Sequence, residues 1–177
     1  MSSVLTNDFL GDGNDRWRTG SLDVSLTFGG GDLRELPTKP WERYQVRVRS
    51  EIIAPANLTT PAINDRQYAG VLGLGLFTHF ETKGYDVTYG GELVFVGDST
   101  GLGSLQKSIH EELDLAVPSA AVLNNQIANA VYPTVHAGVS KKLYGKKSLL
   151  RPFAEAQAGA ETFLRVGADI IFGKAMI

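Results

Sequence analysis

The sequence predicts an all-β fold, an antiparallel up-and-down β-barrel, on three observations. Apolar and polar residues alternate with period two over about eight segments, each roughly 8–12 residues long and near the length of a strand that crosses a membrane. One stretch alone carries helical spacing, GSLQKSIHEELD near residues 103–114, where Leu105, Ile109 and Leu113 recur every fourth position. The unusual polar residues and the two longest connections collect at one end of the implied barrel, as in outer-membrane barrels.

Taken in order, the first feature is TNDFLGDGNDRWRTGS, residues 6–21, a Gly-rich loop between two strand-like segments. LDVSLTF follows, with Leu22, Val24, Leu26 and Phe28 on one face and Asp23, Ser25 and Thr27 on the other. In YQVRVRSEI, Tyr44, Val46, Val48 and Ile52 oppose Gln45, Arg47, Arg49 and Glu51. YDVTYGGELVF sets Val87, Tyr89, Leu93 and Phe95 against Asp86, Thr88, Gly90 and Glu92. VYPTVHAGVS, RPFAEAQAGAE and FLRVGADIIFG continue the pattern toward the C-terminus. With the first strand rising, the loops at its far end fall near 9–18, 54–67, 97–130 and 161–163. Those at the opposite end fall near 29–41, 81–85 and 143–149. The 29–41 connection is long for a periplasmic turn and departs from the pattern.

Period two does not decide which face is wet. A soluble, lipocalin-like barrel turns its apolar set inward around a ligand, and a membrane barrel turns it outward to lipid. The polar faces carry both signs, Arg47 and Arg49 beside Glu51 and later Glu155, Gln157 and Glu161, which suits either paired charges in a narrow interior or a solvated surface.

Bulk properties narrow the function classes. A chain of 177 residues with 43% apolar content and 20 glycines is a folded domain of ordinary size. A net charge of −2 excludes a strongly basic nucleic-acid binder. The absence of cysteine excludes disulfides, thiolate metal sites and a Cys nucleophile. No apolar run reaches the roughly 18 residues of a transmembrane helix. MSSVLTND lacks the layout of a signal peptide, as expected of a chain from which one has been removed.

Three histidines offer acid–base chemistry. His79 in GLFTHF and His136 in PTVHAG fall inside strands, where a structural role is expected. His110 lies on the loop helix, with Gln106 one turn before it on the same face and Glu111, Glu112 and Asp114 after it. Such a His can act as a general base, though on an amphipathic loop helix it is more often ordinary surface. Ser104 and Ser108 could complete a triad on paper, yet neither sits in a G-x-S-x-G elbow. Zinc, P-loop and dinucleotide motifs are absent. Asn7, Asp8, Asp12, Asn14 and Asp15 form an all-oxygen donor set, which favours a hard cation such as Ca²⁺ without the spacing of an EF-hand. Finally, NDRWRTG at 14–20 echoes NDRQYAG at 64–70, both at the start of a descending strand. Asp15 with Arg16 and Asp65 with Arg66 are expected to brace one rim.

Together these motifs resemble the lipid A 3′-O-deacylase family of Gram-negative outer membranes. The likeness is carried by the Asn7-Asp8 pair, by D-R-x-x-T from Asp15 to Thr19, and by D-R-x-Y-A-G-x-L-x-L-G-L from Asp65 to Leu76. It continues in the run from Val96-Gly97 through Gln106 to His110, and in a later N-x-Q-I. The resemblance implies a transmembrane barrel in the bacterial outer membrane, surrounded by membrane lipids and acting on lipid A or lipopolysaccharide. It implies a site on the outer wall between barrel and loop helix, where a histidine activates water and Ca²⁺ stabilises the oxyanion. On that basis His110 matches the catalytic histidine, Asn7 and Asp8 the calcium and active-site pair, and Thr19 the motif threonine, with Gln106 steadying the helix or the ring. Family barrels have about twelve strands against the eight segments here, so the chain is expected to be a fragment or a compact relative. It ends in FGKAMI without a terminal aromatic. Near the position where family members can carry a loop lysine stand Asn57 and Leu58. A non-enzymatic outer-membrane barrel with a structural or adhesion role is the alternative in a different class.

Overall fold

The computed structural model describes residues 1–7, 17–31, 35–145 and 147–172. Among these residues nine strands form one antiparallel sheet: β1 Ser2–Asn7, β2 Trp17–Gly29, β3 Arg43–Ala54, β4 Ala69–Thr82, β5 Tyr85–Val96, β6 Ala130–Ser140, β7 Leu143–Tyr144, β8 Ser148–Ala158 and β9 Phe163–Phe172. Neighbours follow chain order from β1 to β6, and β8 then pairs with β6, β7 and β9. β7 resumes the line of β6 after a break at Lys141-Lys142, pairing Leu143 with Leu150 while β6 pairs Ser140 with Phe153. Eight long lines of strand result, matching the eight alternating segments. Two α-helices lie in the connection from β5 to β6: α1, Leu102–Glu112, and the short α2, Ala120–Asn124. The first is the expected helix. The second carries no distinct periodic signal because it is a single turn or so, started by the Ser119 side chain accepting from the Val122 N–H. Among the described residues no helix is long and apolar enough to cross a membrane.

Burial decides which face is which. In β3 Tyr44, Val46 and Val48 are exposed, Val48 at 43%, while Arg43 is 6% exposed and Glu51 is buried. Leu22, Leu26, Phe28, Leu74, Leu76, Leu93, Val135 and Val139 are exposed in the same way on other strands. The apolar set therefore points outward and the charged set inward, the arrangement of a membrane barrel and the reverse of a lipocalin. The inward charges are paired, several of them half-exposed. Arg18 donates to Glu51 at 2.6 Å and Arg49 stands 3.7 Å from the same carboxylate. Lys142 meets Asp86 at 2.8 Å, Arg151 meets Asp169 at 2.6 Å, and Arg165 pairs with Glu155. His79 bonds Thr88 at 2.9 Å and His136 lies 3.4 Å from Glu155, the structural roles expected of both.

The chain divides into two compact units, both drawing on β2 to β5. One, residues 1–25, 47–74 and 93–132, contains both helices and a small apolar core of Ala54, Leu58, Tyr68 and Val122, with Ile52 and Leu123 against it. The other, residues 26–46, 75–92 and 133–177, contains the long 30–42 connection. Residues 35–42 of that connection are anchored to the sheet. The buried Arg43 guanidinium donates to the Glu35 carbonyl, the Glu81 N–H donates to the Pro37 carbonyl at 2.8 Å, and Thr78 Oγ1 accepts from the Trp41 N–H at 2.8 Å. An outward-facing cation should be far more damaging than an inward one. Val48→Arg is expected to lower folding stability in lipid vesicles by about 2–4 kcal/mol if the position lies near the bilayer midplane, read by denaturant unfolding in vesicles.

Candidate functional site

The first unit brings the N-terminal end of α1 and the segment before it against the start of β4. Three features of the sequence let the helix come so close. The Gly97 N–H donates to the Gly70 carbonyl at 2.9 Å, joining the connection to β4. A Cβ on Gly70 would overlap Thr100 Oγ1 and stand 3.1 Å from Leu102 Cβ. Gly97 has φ 103°, and a Cβ there would stand 2.9 Å from the Asn129 backbone. The Y-A-G and V-G motifs are thus the contact surfaces of one joint.

α1 presents an inverted face. Its apolar stripe is exposed, with Leu105 at 53% and Ile109 and Leu113 likewise in the open, while the buried face is Leu102, Gly103, Gln106 and His110. The helix ends at Glu112, so Asp114, which has φ 54°, is not the further turn of helix that the spacing suggested. His110 is 6% exposed and Gln106 4%. His110 Nδ1 lies 2.6 Å from the Ala116 carbonyl oxygen. A carbonyl only accepts, so Nδ1 carries the proton and Nε2 of the neutral ring carries the lone pair. That lone pair faces Gln106 Nε2 at 3.4 Å. The remaining amide oxygen, Gln106 Oε1, accepts from the Tyr68 hydroxyl at 2.8 Å. Such an imidazole, buried and held in one tautomer with its basic nitrogen set, is suited to taking a proton from water.

The supports come from the other motifs. The Ile127 N–H donates to the Tyr68 carbonyl at 2.8 Å, and Gln126 Nε2 donates to Asp98 Oδ1 at 3.1 Å and to the Leu123 carbonyl at 2.9 Å. The N-x-Q-I motif therefore ties the end of α2 to Tyr68 and to the segment preceding α1. Tyr68 and the Ala116 carbonyl were not singled out from sequence. The tyrosine's place in D-R-x-Y-A-G was its signal, whereas a backbone carbonyl leaves none.

The remaining candidates fall as follows. Thr19 is buried in β2, and β1–β2 register sets the Asn7 backbone opposite Gly20, next to Thr19. Asn7, Thr19, Gln106 and His110 all belong to the first unit. Asp8, Asp12, Asn14, Asp15 and Arg16 lie outside the described residues, and of Asn7 only the backbone is described. Among the described residues no group of three or more His, Cys, Asp or Glu side chains is placed to hold a metal ion. The oxygen donors of residues 7–15 remain the set whose chemistry fits a hard cation. Asp65 Oδ2 accepts from the Ala56 N–H at 2.7 Å and Oδ1 from the Arg66 N–H at 2.8 Å, so it braces the 55–68 loop through backbone. Leu58 is core, and Asn57 Oδ1 accepts from Thr59 and Thr60 to close a turn, so neither supplies the cation a lysine would. Ser108 donates its hydroxyl to the Ser104 carbonyl at 3.1 Å, a bond internal to the helix and not to His110.

Comparison with known proteins identifies the family. The family described as outer membrane protein LpxR matches residues 1–175, so the chain belongs to that family. Among solved structures, LpxR from Salmonella typhimurium is similar in fold, with a TM-score of 0.76 at 21% identity. The match covers 95% of this chain and 61% of that one, so this chain spans less than two thirds of the length of the structure it resembles. No curated protein matches the chain by sequence. The close approach at Gly70 gives a direct check: Gly70→Ala should lift residues 97–103 from β4, costing about 1–3 kcal/mol and accelerating proteolysis within 97–129.

Proposed function

We propose that this member of the LpxR family is an esterase of the bacterial outer membrane that removes an acyloxyacyl chain from the 3′ position of lipid A with the aid of Ca²⁺. The observation that carries the proposal is His110, buried on α1 with its Nδ1 proton on the Ala116 carbonyl and Nε2 set as the basic nitrogen. The exposed stripe of Leu105, Ile109 and Leu113 on the same helix suits a substrate that is itself apolar.

In this reading a water molecule loses a proton to His110 Nε2 and its oxygen attacks the ester carbonyl carbon. The carbonyl oxygen takes the negative charge of the tetrahedral intermediate. The intermediate then collapses, the carbon–oxygen bond to the sugar breaks, and the alkoxide leaving group takes the proton from the imidazolium. A fatty acid and a free hydroxyl result, with the histidine restored. A hard cation, when bound by the oxygen donors Asn7 and Asp8, supplies positive charge for that oxyanion. Thr19, buried beside the strand position of Asn7, is assigned to shaping this side of the site. Gln106 holds the ring, and Asp65 holds the loop that carries Tyr68. Asp15, Arg16 and Arg66 are assigned to the rim rather than to the reaction.

The test is the lipid A mass spectrum of a Gram-negative host expressing the chain. The expected result is a loss equal to one 3′-acyloxyacyl group, abolished when membranes are treated with a calcium chelator and restored by added Ca²⁺. His110→Ala is expected to slow the loss by roughly 10²–10⁴-fold. An unchanged spectrum from protein folded in the outer membrane would instead mark a non-enzymatic barrel with a structural role.

A further inference from the structure

Tyr68 makes the strongest unassigned connection to the site. It is 1% exposed, packed in the core with Ala54, Leu58 and Val122, and its carbonyl is fixed by the Ile127 N–H. Gly103 on α1 passes over its ring, where a Cβ would come within 3.5 Å of Tyr68 Cε1. The phenol therefore presents its hydroxyl at one fixed point, and that hydroxyl meets Gln106 Oε1 at 2.8 Å.

We propose that Tyr68 is a positioning residue for His110, acting through the Gln106 amide. The direction of each hydrogen bond follows from the last. The Ala116 carbonyl requires a proton on His110 Nδ1, so the neutral ring accepts at Nε2. Gln106 must then turn its NH₂ toward His110 and its oxygen toward Tyr68, which requires the phenol to donate. Donation thus runs one way, from Tyr68 to Gln106 to His110 to Ala116. With the hydroxyl gone, the amide could turn over and set its oxygen against the lone pair of Nε2, which repels it and displaces the ring. The phenol prevents this. Because the Gln106–His110 contact is long, at 3.4 Å, the amide orients the ring without holding the lone pair tightly.

This inference rests on the esterase reading for its kinetic arm only. Tyr68→Phe keeps the ring in the core and removes the donor. It is expected to lower kcat roughly tenfold, the effect of one lost buried hydrogen bond, with KM unchanged. In a Gln106→Leu background the same substitution should cost nothing further, because the relay is already cut. A second arm needs no activity: ¹⁵N spectra of His110 in the full chain folded in detergent, where Tyr68→Phe should shift the Nε2 resonance and leave Nδ1 protonated. An equal kcat loss in both backgrounds, or an Nε2 resonance untouched by Tyr68→Phe, overturns the proposal. A shifted resonance in a chain with no hydrolysis upholds the role of Tyr68 and overturns the esterase reading alone.

Discussion

The close approach of residues 97–103 to the start of β4 is the contact on which the candidate site depends. It is made possible by what is missing, the side chain of Gly70, and secured by the backbone hydrogen bond from Gly97 to Gly70. From that joint α1 runs with Gly103 over Tyr68 and carries Gln106 and His110 to the buried side. Helix, phenol and imidazole share one constraint. Any side chain large enough to part the two segments at Gly70 would also move the basic nitrogen.

The second organising force is the surrounding solvent. A strand in hydrocarbon must bond its backbone to neighbours, since each unsatisfied group costs several kcal/mol, and must turn apolar side chains outward. β3 does both, with Tyr44, Val46 and Val48 out and Arg43, Arg47, Arg49 and Glu51 within. The same inversion extends to α1, whose leucine and isoleucine stripe is exposed while an amide and an imidazole are covered. A polar face hidden and an apolar face displayed is costly in water. It is reasonable for an element next to lipid.

Much of the fold was legible because strands write their pattern locally. Side chains alternate within a strand whatever the neighbour, so LDVSLTF, YQVRVRSEI and YDVTYGGELVF could be read one at a time, and so could the turns between them. The helix was legible for the same reason through Leu105, Ile109 and Leu113. His110 and Gln106 could be paired because one turn of helix separates them. Tyr68 could not be joined to Gln106 in this way, since it stands 38 positions earlier in the chain. Nor could Ala116, whose contribution is a carbonyl that every residue possesses.

The sequence by itself determined the all-β class, the approximate positions of the strands and of the helix, and the pairing of Gln106 with His110 across one helical turn, because each is set by periodicity within a few residues. Only the tertiary structure decided which face of the alternation points outward, since period two is symmetric between its two faces and burial breaks that symmetry. It alone decided the tautomer of His110 as well. That depends on a carbonyl brought within 2.6 Å by the chain's path after the helix, a distance no local pattern encodes.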